Sequence, residues 1–141
     1  MKFEKKDILN ILPQREPLLL IDRAELISYS SVQAEVFLNP DWEIFHGHFP
    51  ERPVLPGIYI TESMAQAADL ILLSLPGNEK KLPLFLGISQ MRFLRPAYPG
   101  DTMQLFARIE CDPGNGMYDC SVSASINNKK IAIGKISLAL K

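Results

Sequence analysis

Both histidines of the chain, His46 and His48, fall one residue apart in the stretch FHGHFPERPVLPG, Phe45 to Gly57, which also holds three of its eleven prolines and two of its eight glycines. An imidazole titrates near neutral pH and can accept a proton from carbon. Glu62 follows His48 by fourteen residues, and a histidine with a carboxyl group makes a minimal acid/base couple. Other chemistries compete for the same residues. On extended backbone an HxH spacing turns both rings to one side, so His46, His48 and Glu62 could be metal ligands, but the chain has no further histidine and no second carboxylate at ligand spacing. Nucleophilic catalysis is weaker still, because no serine sits in a G-x-S-x-G elbow and Cys111 and Cys120 lie on a distant hairpin. Either histidine could also be a loop residue satisfied by backbone hydrogen bonds. The segment itself is too rich in proline to be a regular helix or strand.

Glu62 belongs to the one long helix that the sequence predicts, from Pro56 to about Leu75. A proline suits the first turn, no Gly or Pro interrupts residues 58–75, and PGNEKK breaks the run. Ile58, Ile60, Met64, Ala65, Ala67, Ala68, Ile71 and Leu72 make most of its circumference apolar, so it should be buried and wrapped by other elements. Against that background Tyr59, Glu62, Ser63 and Gln66 fall at i, i+3, i+4 and i+7 on one narrow face, and Asp69 continues it. That stripe faces solvent, or it lines a cleft, where a carboxyl partly withdrawn from water holds its proton more tightly and becomes useful in acid/base chemistry. Periodicity does not choose between the two. The helix start at Pro56-Gly57 offers N–H groups suited to a carbonyl oxygen that gains negative charge.

The remaining elements supply a sheet. KKDILNIL before Pro13 has the spacing of a short amphipathic helix, a lid or edge element. Leu18 to Ile27 reads as a strand, and Val32, Ala34, Val36 and Leu38 alternate with Gln33, Glu35 and Phe37 as a second, half-buried strand. After the long helix about five strands are predicted: Leu84–Ile88, Gln90–Arg95, Met103–Ile109, Cys120–Ile126 and Lys130–Leu140. In the last the apolar phase slips around Gly134, as at a β-bulge. This order argues α+β, one antiparallel sheet with a helix packed on it.

The 141 residues fit a single domain over the whole chain. With 15 Lys+Arg against 16 Asp+Glu and no run of like charges, direct nucleic-acid binding is not expected. MKFEKKDILN lacks the apolar core of a signal peptide, and Glu62 and Asp69 interrupt the stretch from Ile58 to Leu75, so the expectation is a cytoplasmic protein without a membrane span. Cys111 and Cys120 flank DPGNGMYD, where a hairpin could set them opposite each other, yet a lasting bridge is disfavoured in that compartment.

Four blocks resemble one family. LPQREPLLLIDR (12–23), GHFPERPVLPG (47–57), ESMAQ (62–66) and GISQMRFLRPAYPGD (87–101) together are similar to the FabZ-type (3R)-hydroxyacyl-acyl carrier protein dehydratases, touching nearly the whole chain. The resemblance implies a hot-dog fold, in which the antiparallel sheet wraps around the central helix, and loss of water from a β-hydroxyacyl thioester held by acyl carrier protein, in fatty-acid or related acyl-chain biosynthesis. It makes His48 and Glu62 the catalytic pair and the Gly57 amide the donor to the thioester carbonyl. It also implies an obligate homodimer with each active site shared between subunits, assembled further in some cases into a hexamer. Neither metal nor organic cofactor is required. Arg92 and Arg95 become candidates for the acidic carrier protein, beside their reading as ordinary solvated charges.

The helix entry departs from the family. Many members read PG-V-L-x-x-E-A-M-A-Q where this chain has PGIYITESMAQ. Tyr59, Ser63 and Gln66 share the face of Glu62, so they are candidate substrate-binding residues, and a changed acyl-chain preference is expected. The same fold could instead serve a thioesterase, a catalytically silent acyl-binding partner subunit, or a hydratase on coenzyme A esters.

Overall fold

The computed structural model describes residues 1–112 and 114–141. In chain order the elements are β1 Lys2–Phe3, α1 Lys5–Ile11, β2 Arg23–Ser28, β3 Ser31–Phe37, α2 Glu43–Gly47, α3 Gly57–Ser74, β4 Pro83–Phe93, β5 Thr102–Cys111, β6 Met117–Ile126 and β7 Lys129–Leu140. All strand pairs are antiparallel, in one sheet ordered β1-β2-β3-β5-β6-β7-β4.

The long helix forms because its residues favour it and because the sheet covers it. Pro56 stands at the N-cap, and the residues from Ile60 to Leu73 are buried except Glu62. It packs chiefly on β3, β5 and β6, whose inward residues Val32, Ala34, Val36, Met103, Leu105, Ala107, Val122 and Ala124 alternate with outward ones, as a half-buried strand requires. At its C-terminal end the Leu72 carbonyl accepts both the Leu75 N–H at 3.3 Å and the side chain of buried Asn78 at 2.9 Å. α1 is the expected short helix; the Asp7 carboxylate accepts the Glu4 N–H at 2.9 Å, and Leu12 begins the exit toward Pro13.

Four expectations change. Leu18 to Ile27 is not one strand: β2 starts only at Arg23, and residues 12–22 form an irregular strap laid across α3. Leu19, Leu20 and Ile21 are buried there as they would be in a strand, so hydrophobicity alone does not separate the two. The predicted pair Leu84–Ile88 and Gln90–Arg95 is a single strand, β4, whose register shifts at Phe85/Gly87 and again at Ile88/Gln90; two phase changes look in sequence like two strands. The bulge of β7 lies between Lys130 and Ala132, earlier than Gly134, which pairs regularly with Val122 and Met91. Residues 45–47 are helical, within α2.

Gly134 is needed for a different reason. A Cβ there would lie 2.6 Å from the Gln90 carbonyl oxygen and 2.6 Å from the end of the Met91 side chain. Gly134→Ala is therefore expected to force β4 and β7 apart and lower stability by about 1–3 kcal/mol, read as a lower urea midpoint. An unchanged midpoint would show that the two strands have slack.

Candidate active site

α2 delivers His48. Trp42 and Phe45 stack with ring centroids 6.1 Å apart, and Phe45 is buried, so the short helix is pinned to the core and its C-cap is His48. The loop beyond it closes on the same residue: the Val54 N–H donates to the His48 carbonyl at 2.8 Å, and the ring Nδ1 lies 2.9 Å from the Val54 carbonyl. A carbonyl only accepts, so Nδ1 carries the hydrogen and Nε2 is left with its lone pair as the basic nitrogen. The imidazole also stacks on Phe49 at 4.1 Å, which fixes its plane. His46 is in the helix, exposed, and shares none of these contacts. The HxH spacing therefore does not stand on extended backbone, and among the described residues no group of three His, Cys, Asp or Glu could hold a metal ion.

Glu62 is held by α3 and by the strap above it. Gln66, fully buried, donates from Nε2 to Glu62 Oε1 at 2.9 Å and to the Leu18 carbonyl at 2.7 Å, while its Oε1 accepts the Leu20 N–H at 3.0 Å. The amide thus replaces the neighbouring peptide that a strand would offer residues 18–20, and its second N–H orients the carboxylate. The polar stripe is neither solvent-facing nor an open cleft wall over most of its length, because the strap covers it. Gln66→Leu should leave a strap C=O and N–H unpaired at about 1–3 kcal/mol each and free the Glu62 side chain. The expected result is a lower denaturation midpoint together with reduced turnover; a variant with full turnover would show that Glu62 needs no orienting bond.

The other members of the stripe divide. Ser63 is 1% exposed and donates to the Tyr59 carbonyl at 2.8 Å, and the Thr61 hydroxyl donates to the Gly57 carbonyl at 3.1 Å. Both hydroxyls are spent within the helix, as is usual for Ser and Thr at interior positions. Tyr59, by contrast, reaches open space: with Leu19, Leu20, Phe37, Trp42 and Gly47 it lines a cleft of about 620 Å³ beside the helix start. Asp69 is 4% exposed and accepts from Gln14 Nε2 at 3.2 Å. Burial first, and the Glu62 charge after it, push its carboxyl up to about 7 against the opposing Gln14 hydrogen bond. Asp69 stands at the far end of the stripe from Tyr59.

Gly57 is the first residue of α3, where N–H groups lack intrahelical acceptors. It borders a shallow hollow of about 320 Å³ shared with Phe93, Leu94 and Arg95. A Cβ at Gly57 would come within 3.0–3.2 Å of the Phe93 ring, so only glycine leaves this approach open without moving it. Arg92 and Arg95 are exposed, and neither is in an ion pair among the described residues.

Within one chain His48 and Glu62 are turned to different partners, Val54 and Gln66. Cys120 is buried and pairs with Ile109 across the sheet, while Cys111 is exposed and pairs with Asp119; both are free thiols. Burial, with the charge of Asp69 and then of Asp119 and Glu110, pushes the Cys120 thiol up to about 12, so it is no nucleophile. Sequence reasoning missed two contributors to the site, α2 and the strap residue Gln14. Trp42 and Phe45 at i, i+3 could have indicated the first; nothing local marks the second.

Comparison with known proteins shows the family and the fold. The family model described as ApeI dehydratase, of the ApeI-like family, matches residues 24–135. The 3-hydroxyacyl-[acyl-carrier-protein] dehydratase FabZ of Roseiflexus sp. (strain RS-1) is 38% identical over 136 residues, 96% of this chain and 94% of the relative. The enzyme of that name from Ruminiclostridium cellulolyticum is likewise 38% identical, over 96% of this chain and 95% of its own. Among solved structures, the dehydratase heterocomplex ApeI:P from Xenorhabdus doucetiae superposes with a TM-score of 0.66 at 24% identity, covering 85% of this chain and 96% of that one. Cj0977, a sigma28-regulated virulence protein from Campylobacter jejuni, superposes with a TM-score of 0.74 at 15% identity, over 96% and 89%. The fold is the hot-dog fold.

Proposed function

The chain belongs to the ApeI-like dehydratase family, and on that premise we propose how its residues divide the removal of water from a 3-hydroxyacyl thioester of acyl carrier protein. The enzyme is a 3-hydroxyacyl-acyl carrier protein dehydratase. His48 Nε2 takes the C2 proton, and the C2 electron pair moves toward the thioester carbonyl, whose oxygen gains charge. The Gly57 N–H and the α3 N-terminus stabilise that oxygen. Glu62, in the fraction of sites where it starts as the protonated acid, gives a proton to the C3 hydroxyl, which leaves as water as the C2–C3 double bond forms. One proton leaves carbon and one joins the hydroxyl, so the two side chains are reset by proton exchange with each other or with solvent. The single observation that carries this assignment is the Nδ1 contact with the Val54 carbonyl, which leaves Nε2 as a base.

Two subunits supply one site in this reading. Supporting it, His48 and Glu62 share no partner among the described residues, and β4 is an edge strand with Leu84, Phe85, Leu86 and Ile88 exposed. Ile58, at the start of α3, is 74% exposed, and Phe93 and Leu94 lie nearby in sequence to the β4 edge. An open edge and an apolar patch are what a homodimer interface covers; a hexamer would add contacts between such dimers. The cleft beside Tyr59 offers room for the acyl chain, so Tyr59 is the residue through which this chain's preference would differ. Arg95, beside the hollow at Gly57, and Arg92 would receive the acidic carrier protein. Among the described residues no helix is long and apolar enough to cross a membrane; a cytoplasmic site of action belongs to the same reading.

The test is to incubate the protein with a 3-hydroxyacyl thioester on acyl carrier protein and follow absorbance of the conjugated enoyl thioester, with a thiol reagent in parallel. Enoyl product without free thiol is expected. Free thiol without enoyl product would identify a thioesterase, and neither would identify a silent subunit.

A further inference from the structure

The stripe on α3 ends in an imbalance. Asp69 accepts one hydrogen bond, from Gln14 Nε2 to Oδ2 at 3.2 Å, but its second oxygen, Oδ1, and the carbonyl oxygen of the Gln14 amide are both buried with no partner among the described residues. An ionised Asp69 would present two acceptors and a charge in a place closed to water, which native interiors avoid. No Lys, Arg or His pairs with it among the described residues. The ionisable groups that face it are Glu62 on α3 and the buried thiol of Cys120 on β6, neither of them a cation.

One proton accounts for both orphaned oxygens. Placed on Asp69 Oδ1, it removes the charge and turns an acceptor into a donor, for which the Gln14 carbonyl oxygen is the acceptor left open. We infer that Asp69 is a neutral acid closing a two-point pair with the Gln14 amide, and that this pair is a positioning device for Glu62. Gln14 and Leu18–Leu20 belong to one strap; Gln66 and Asp69, three residues apart on α3, fasten it at two points. Gln66 uses its remaining N–H on Glu62, so the carboxylate keeps its aim only while the strap is seated. The catalytic half of this inference rests on the assignment of Glu62 above; the acid–amide pair does not.

The tendency of burial to hold the Asp69 proton up to about 7 fixes the sign of the pH dependence. An unfolded aspartate ionises near its ordinary value of 3.8, so between that pH and neutrality the unfolded chain has released a proton that the folded chain retains. Stability contributed by Asp69 is present at low pH, is lost as pH rises toward about 7, and does not change further above it. Asp69→Asn mimics the neutral acid, with an NH₂ for Gln14 Oε1 and a carbonyl for Gln14 Nε2.

Thermal unfolding of the wild type and of Asp69→Asn from pH 5 to pH 8.5 tests the pair. The Asn variant should gain stability relative to wild type as pH rises to neutrality, with a level difference beyond. A difference independent of pH, or one that falls with pH, means that Asp69 is ionised in the native protein and overturns the pair. Turnover tests the positioning role: the ratio of kcat in Asp69→Asn to kcat in wild type should rise several-fold between pH 6 and pH 8.5, while Gln14→Leu loses turnover at all pH values. A constant ratio alongside the expected stability difference overturns the positioning role. If instead Glu62→Gln retains full turnover, the assignment of Glu62 has failed, and the unfolding series still decides the pair.

Discussion

His48→Ala is expected to lower turnover by about 10²- to 10⁴-fold, the range for loss of a general base, while lowering stability by no more than about 1 kcal/mol, since the ring is half-buried and makes one hydrogen bond. Glu62→Ala should cost a comparable factor. The decisive measurement is the mixture. If each site takes its histidine and its glutamate from different subunits, co-refolding equal amounts of the two inactive variants gives hybrid dimers with one wild-type site and one doubly impaired site. Random pairing makes half of the dimers hybrid, so about a quarter of wild-type activity should return. A mixture as inactive as its parents would place both groups in one subunit.

The second large effect concerns β4. Its edge is open, and Leu86 and Ile88 are each about half exposed. A double variant, Leu86→Asp with Ile88→Asp, should repel across a two-fold interface and yield monomers in sedimentation analysis, with turnover lost although His48 and Glu62 are untouched. The aspartates lie where the lone chain is already solvated, so the monomer should stay folded by circular dichroism. A monomeric variant with full turnover removes the shared site; a variant that remains dimeric removes β4 from the interface.

Sequence was most informative where a single local property decides the structure. The run from Ile58 to Ser74 has no breaker and is apolar almost all round, and it is a buried helix. The alternations in β3, β5 and β6 hold because one face meets that helix. It was least informative where partners are distant in the chain. Leu19 to Ile21 have the composition of a strand, yet the Leu20 N–H donates to the Gln66 side chain 46 residues away, the Leu19 N–H to the Arg15 carbonyl, and the Ile21 carbonyl accepts from Lys5 Nζ. The proline density of residues 50–56 hid α2, although its own residues contain no proline. The motifs single out His48 and Glu62 as candidates, but which nitrogen of the imidazole is basic depends on the carbonyl of Val54, a fact of loop geometry.

The two fastenings of the strap have a consequence for how the chain tolerates change in length. Gln66 and Asp69 stand about 4.5 Å apart along the helix axis, three residues at the usual rise, and between them they hold Gln14 at one point and Leu18 and Leu20 at another. Most connecting segments absorb an inserted or deleted residue at little cost. Here the interval from 14 to 18 is measured off against a rigid ruler, so residues 14–20 should be a place where an inserted or deleted residue is not tolerated, even though the segment belongs to no helix or strand.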